Sequence, residues 1–161
     1  MKSDQLVINY VLTTYEELSS SEQTLVDKAK EACTTAYAPY SKFRVGAAVE
    51  LEDGTIVTGS NQENAAFPSG ICAERCALFY ANSQYPNLSV KAMAIAAIDK
   101  KGMFTMTSVS PCGECRQALL EAEQRYGHPI RTMFCGVKQV ILVESVQMLL
   151  PFFFGHSILD D

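Results

Sequence analysis

The chain has 161 residues, 48% hydrophobic and 19% charged, with 13 Lys and Arg against 18 Asp and Glu for a net charge of -5. That length suits one domain with a covered core, and the composition excludes intrinsic disorder. The acidic balance argues against a polynucleotide binder or a ligand of anionic membranes, and favours a small, weakly charged substrate.

The N-terminal MKSDQLVINY carries Asp4 and no long apolar stretch, so no secretory signal is expected. The runs AMAIAAI and LLPFFF fall far short of the roughly 18 residues that a membrane-spanning helix needs. Six cysteines without a signal segment predict a reducing, cytoplasmic location, where close cysteine pairs more often ligate metal than form disulfides. With no repeat or linker, residues 19–161 are expected to form one domain. Residues 1–18 form an extension of unassigned role, in which LVINYVL suits an accessory strand or a clamped arm.

The first helix is predicted from about Ser21 to Tyr37. Leu25, Val26, Ala29, Ala32, Cys33 and Ala36 fall at helical spacing, the pair Ser20 and Gln23 suits a capping box, and Pro39 ends the helix. FRVGAAVEL and TIVTGS follow as two strands joined at Asp53-Gly54, a hairpin signal. The loop SNQENAAFPSG leads into a helix beginning near Cys72. VKAMAIAAI is a continuous apolar run, as expected of a central strand covered on both faces. Ser110-Pro111 opens a further helix to about Tyr126, and RTMFCG and QVILVE read as two more strands. Helices alternating with buried strands predict a three-layer α/β/α domain around a mixed sheet.

Two stretches carry chemistry, SGICAERCALFY and SPCGECRQALLEA. Cys112 and Cys115 form C-x2-C at a helix start, a strong half of a zinc site, and Cys72 at another helix start is the natural third ligand. Helix N-termini suit thiolates, because unpaired N–H groups and the positive dipole end stabilise negative sulfur. Three protein ligands leave one tetrahedral position for water, whose pKa zinc lowers to about 7. Glu74, two residues after Cys72, is placed to take the proton of that water and pass it on. Zinc with three thiolates and a hydroxide carries excess negative charge for a water-poor pocket. Arg75 shares a helix face with Cys72 and is expected to drain charge from the sulfurs.

Cys-Ala-Glu followed by Pro-Cys-x-x-Cys resembles the zinc nucleoside deaminases. AYAPYSKFRVGAAV, NQENAAFPSGICAER, SPCGECRQALLE and LLPFFFG, in that order, are similar to the small homotetrameric cytidine deaminases over most of residues 21–159. The resemblance implies one zinc per chain and hydrolytic deamination of cytidine and 2'-deoxycytidine, the chemistry of pyrimidine salvage. Hydroxide attacks C4, and Glu74 protonates N3 and then the departing ammonia. It implies ribose contacts from Asn61 and Glu63, an aromatic near the base at Phe43, and a backbone contact to the pyrimidine edge at Ala73. Neighbouring subunits complete the site through Phe154 and Phe67, the latter where other members often have tyrosine. A carboxylate at the sugar end favours a free nucleoside over a nucleotide.

Duller readings compete. Cys76 with the other three cysteines gives a closed all-thiolate site and a non-catalytic zinc-stabilised binding module. A deaminase of another aminated heterocycle or modified nucleoside is the alternative within enzymes. Cys33 and Cys135 read as thiols without chemistry, and His128 and His156 as loop residues away from the cysteines.

Overall fold

A computed structural model describes residues 1–155 and 159. Six strands form one sheet in the order β1-β6-β5-β4-β2-β3. They are β1 (Val11–Thr13), β2 (Arg44–Leu51), β3 (Ile56–Ser60), β4 (Val90–Ile98), β5 (Arg131–Cys135) and β6 (Val140–Val143). β4 and β5 run parallel and every other pair is antiparallel, so the sheet is mixed. Three helices cover it: α1 (Ser20–Ala32), α2 (Ala73–Gln84) and α3 (Gly113–Tyr126).

The layers follow from the alternation of β4. Met93 and Ile95 enter a core shared with α2 and α3, among Ala77, Leu78, Leu119 and Leu120. Ala92, Ala94 and Ala96 face the other way, towards Leu25, Val26 and Ala29 of α1. Both faces of β4 are therefore covered, as its unbroken apolar run predicts. Small residues on the α1 side let that helix come close. At Gly46 of β2 an added Cβ would stand 2.1 Å from the carbonyl oxygen of Ala29. The Asp53-Gly54 turn closes β2 onto β3, with Gly54 at φ 86° and the Asp53 carboxylate accepting from the N–H of Thr55 at 2.8 Å.

Two predictions at α1 need correction. The capping box lies one residue earlier, at Ser19 and Glu22: the Glu22 carboxylate accepts from the N–H of Ser19 at 2.9 Å. The helix also stops at Ala32 rather than Tyr37, and Cys33–Thr35 form a single 3-10 turn. The hydroxyls of Thr34 and Thr35 donate back to the carbonyls of Glu31 and Ala32, and Ala36 turns extended so that Tyr37 can bridge to Gln62. Of LVINYVL, Val11 and Leu12 join the edge strand β1 on β6; residues 1–10 lie outside any regular element. Cys33 and Cys135 are core thiols that burial pushes up to about 11 and about 12. His128 follows α3 in an exposed loop, and His156 lies outside the described residues.

The helix that begins beside Cys72 is seated on β3 through Gly59. A Cβ there would meet the backbone of α2, 2.4 Å from the nitrogen of Ala77 and 2.8 Å from the carbonyl oxygen of Ala73. Gly59→Ala is expected to cost about 1–3 kcal/mol through overpacking, read as a lower urea midpoint with the slope unchanged. An unaltered midpoint would mean that α2 shifts without penalty.

Candidate active site

Cys72 and Cys112 are the N-caps of α2 and α3, both in extended conformation and both without a side-chain cap bond. An uncapped first turn presents free N–H groups to whatever charge lies in front of it. The sheet order sets the two helix starts side by side, and Cys115 enters from the first turn of α3. The sulfurs of Cys72 and Cys112 are 3.8 Å apart and those of Cys112 and Cys115 3.5 Å apart. All three lie within 4.8 Å of one another, and Cys76 is outside the group. The closed four-thiolate arrangement is therefore not formed.

Sulfurs at about 2.3 Å from a tetrahedral zinc stand about 3.8 Å from each other. The triangle has that size and the donor set is all thiol, so these residues fit zinc. The protons report the same crowding. The Cys72 thiol is pulled down to about 5, chiefly by a hydrogen bond from Cys115, with burial opposing and Arg75 assisting. Cys115 moves the other way, because it keeps the proton it shares with Cys72 in a buried position.

Glu74 lies in the first turn of α2, 5% exposed. Burial pushes its carboxyl above the ordinary range, the negative charge of Cys72 adds to this, and the Cys115 thiol bonds it. Arg75 lies against the sulfurs of Cys72 and Cys115. Its Nη2 pairs with the Glu114 carboxylate at 2.8 Å, while its Nε is buried without a hydrogen-bond partner. The sequence reading missed Glu114, which sits inside C-x2-C and ties α3 to α2 through Arg75. Its spacing from the cysteines was visible, its partner was not.

A cleft of about 490 Å³ brings Asn61, Glu63, Phe67, Cys72, Arg75 and Glu114 together; Cys72 reaches its wall, whereas Cys112, Cys115 and Glu74 lie behind it, outside the lining. Glu63 accepts from the backbone N–H groups of Tyr40 and Ser41 at 2.8 and 3.2 Å. These bonds and the Ser41 hydroxyl hold its carboxyl below the usual range. Phe67 is 78% exposed at the rim, edge-on to Tyr40 at 6.2 Å between ring centres. The structure does not bring the other expected contacts to the cleft wall. Phe43 is half-buried outside the lining, Ala73 is buried as the first residue of α2, and Phe154 is exposed beside α3.

An all-sulfur triangle at the start of two helices, with Cys72 at a cleft wall, defines a protein of the zinc-thiolate class in which Cys72, Cys112 and Cys115 would hold the metal. Residues 19–126 match the profile described as "Cytidine and deoxycytidylate deaminase zinc-binding region", and the chain belongs to this family. A cytidine deaminase of Sporosarcina psychrophila is 48% identical over 99 residues, 62% of this chain and 68% of that protein. One of Mycobacterium tuberculosis (strain H37Rv) is 42% identical over 111 residues, 67% and 78% of the two chains. The crystal structure of cytidine deaminase from Burkholderia pseudomallei superposes with a TM-score of 0.70 at 34% identity, covering 82% of this chain and 98% of that one.

Asn61 is already engaged: its Oδ1 accepts from the N–H of Val45 at 2.7 Å and its Nδ2 donates to the carbonyl of Phe43 at 3.0 Å. Asn61→Ala leaves both backbone groups unpaired at the start of β2. A loss of about 1–3 kcal/mol is expected, measured by denaturant unfolding of the metal-loaded protein. Unchanged stability would assign the amide to ligand contact alone.

Proposed function

We propose that this chain deaminates cytidine and 2'-deoxycytidine to uridine and 2'-deoxyuridine with release of ammonia. One observation carries the reading: three cysteine sulfurs gather without Cys76, Cys72 among them at the wall of a cleft, and the buried carboxyl of Glu74 lies two residues on in the first turn of α2. Cys72, Cys112 and Cys115 would hold zinc, one per chain, which when bound supplies the Lewis acidity that makes water nucleophilic near neutral pH. Glu74 takes a proton from the attacking water and gives it to N3 of the pyrimidine, then takes the proton of the new C4 hydroxyl and delivers it to the amino group, which leaves as ammonia as the C4 carbonyl forms. Burial suits both halves of the task, since water cannot compete for the carboxyl. Arg75 offsets part of the thiolate charge, and Glu63 and Asn61 grip the ribose hydroxyls. Phe43 flanks the base, and the backbone of Ala73 meets the pyrimidine edge. Glu63, held ionised, repels a 5'-phosphate, which favours nucleoside over nucleotide within a family whose description covers both.

A homotetramer is part of the proposal. Exposed aromatic rings at Phe67, Phe79, Tyr80, Phe152 and Phe154 support it, because patches of this kind usually meet another surface. Phe67 and Phe154 would complete the site of a neighbouring subunit. No helix among the described residues is long and apolar enough to cross a membrane, and a cytoplasmic role in pyrimidine salvage accords with the reduced thiols.

Glu74→Gln is expected to lower kcat about 10²–10⁴-fold while zinc content by mass spectrometry and thermal midpoint stay at wild-type values. Ultraviolet monitoring should show wild-type protein consuming cytidine and ignoring cytidine monophosphate. Full activity in Glu74→Gln would refute the proton shuttle, and equal use of the monophosphate would refute the role of Glu63. Arg75→Gln should slow turnover or shed zinc; a variant unchanged in both removes the charge argument.

A further inference from the structure

Arg116 is half-buried and belongs to none of the ion pairs among the described residues. Its guanidinium is instead spent on two backbone carbonyls. Nε donates to Pro111 at 2.9 Å, and Nη1 donates to Leu149 at 2.9 Å. The next residue, Gln117, donates through Nε2 to the carbonyl of Phe154 at 2.9 Å. The two residues that follow Cys115 therefore hold the segment entering the sulfur cluster and the C-terminal segment at once.

The first of these bonds bears on the metal. The Pro111 carbonyl belongs to the peptide plane that ends at Cys112 Cα, so fixing its oxygen fixes that plane and the direction in which Cys112 launches its side chain. Cys112 is the exposed member of the three cysteines, whereas Cys115 is buried and Cys72 half-buried. It has little packing to orient it and no cap bond of its own. A planar fork can serve two acceptors in fixed directions, which an ammonium cannot do. The second bond extends the restraint to Leu149, at the end of the 3-10 turn Val146–Leu149, and Phe153 just beyond packs against the core.

We propose that Arg116 is a positioning residue for the metal site: it locks the Pro111–Cys112 peptide and couples it to the C-terminal segment, so that loosening this segment weakens zinc retention. The inference rests on the zinc site of the proposed function and adds to it a mechanical link across 33 residues of chain.

The test uses full-length, zinc-loaded protein and follows zinc transfer to an excess of a colorimetric chelator, with kcat and KM for cytidine measured in parallel. Arg116→Gln should release zinc about 10–100-fold faster, the range for groups that orient metal ligands. Its KM should hold, since Arg116 does not line the cleft. Arg116→Lys should recover part of the loss. Phe153→Ala should speed release in the wild-type background and add little in the Arg116→Gln background, as coupled sites do. A folded Arg116→Gln protein that keeps zinc at the wild-type rate overturns the proposal. Additive effects of the two substitutions overturn the link to the C-terminal segment. Should Arg116→Gln fail to fold, Arg116→Lys decides: wild-type release there is equally fatal. A wild-type chain that binds no zinc would defeat the functional reading beneath, a result separable from all of these.

Discussion

Three sulfurs that approach within 3.5 to 3.8 Å along two edges of their triangle set a charge problem, and much of the molecule is arranged around it. Two thiolates at such a distance repel by about 4 kcal/mol at the effective dielectric of about 20 that suits a protein surface. Without a cation the cluster must keep a proton, which is why Cys72 and Cys115 shift in opposite directions. Zinc relieves most of the repulsion, and the remainder falls to what the chain supplies. Two uncapped helix N-termini point at the sulfurs and Arg75 lies against them. Glu114 then limits the help Arg75 can give, because one arm of the guanidinium is committed to a carboxylate. The site is thus balanced between draining charge from the sulfurs and keeping enough of it to hold the metal.

That balance depends on the sheet. α2 and α3 can meet at their starts only if both lie flat on the same face and close to it. Gly59 permits the first approach, with the backbone of α2 where a side chain would be. β4 turns Met93 and Ile95 towards α2 and α3, and Ala92, Ala94, Ala96 and Ile98 towards α1.

Much of this was legible in the sequence, for physical reasons that can be named. The continuous apolar run of β4 has no stable place except between two layers, and Asp53-Gly54 admits few conformations other than a tight turn. Each cysteine expected at a helix start is there, because a small residue and a turn signal precede both. The errors came where local chemistry was degenerate. Ser19, Ser20 and Ser21 offer three caps, and only Ser19 has a glutamate three residues on. Cys33, Thr34 and Thr35 keep the helical period but are weak helix formers, and the bridge from Tyr37 to Gln62, a contact between distant segments, takes the chain out of the helix. Glu114 and Arg116 escaped for the same reason: one partner lies on another helix and the other is a backbone carbonyl 33 residues away, which no residue letter encodes.

The two polar groups at the far end of the cleft show why a shared motif does not imply a shared burden. Asn61 spends its carbonyl oxygen and one amide hydrogen on the backbone of β2, leaving a single N–H for a ligand. It holds the wall first and any sugar second. Glu63 accepts the backbone N–H groups of Tyr40 and Ser41 through Oε2. The Ser41 hydroxyl, with these backbone bonds, orients the carboxylate and holds its pKa below the usual range, so in the proposed complex a sugar hydroxyl would meet a group already aimed and charged. On the proposed reading, discrimination at this end would fall to Glu63, and the structural cost of altering the motif to Asn61. In the proposed reaction the same separation holds at the metal end: Glu74 would meet the reacting atoms, while Arg75, paired with Glu114, lies against the sulfurs and Arg116 holds the Pro111 carbonyl.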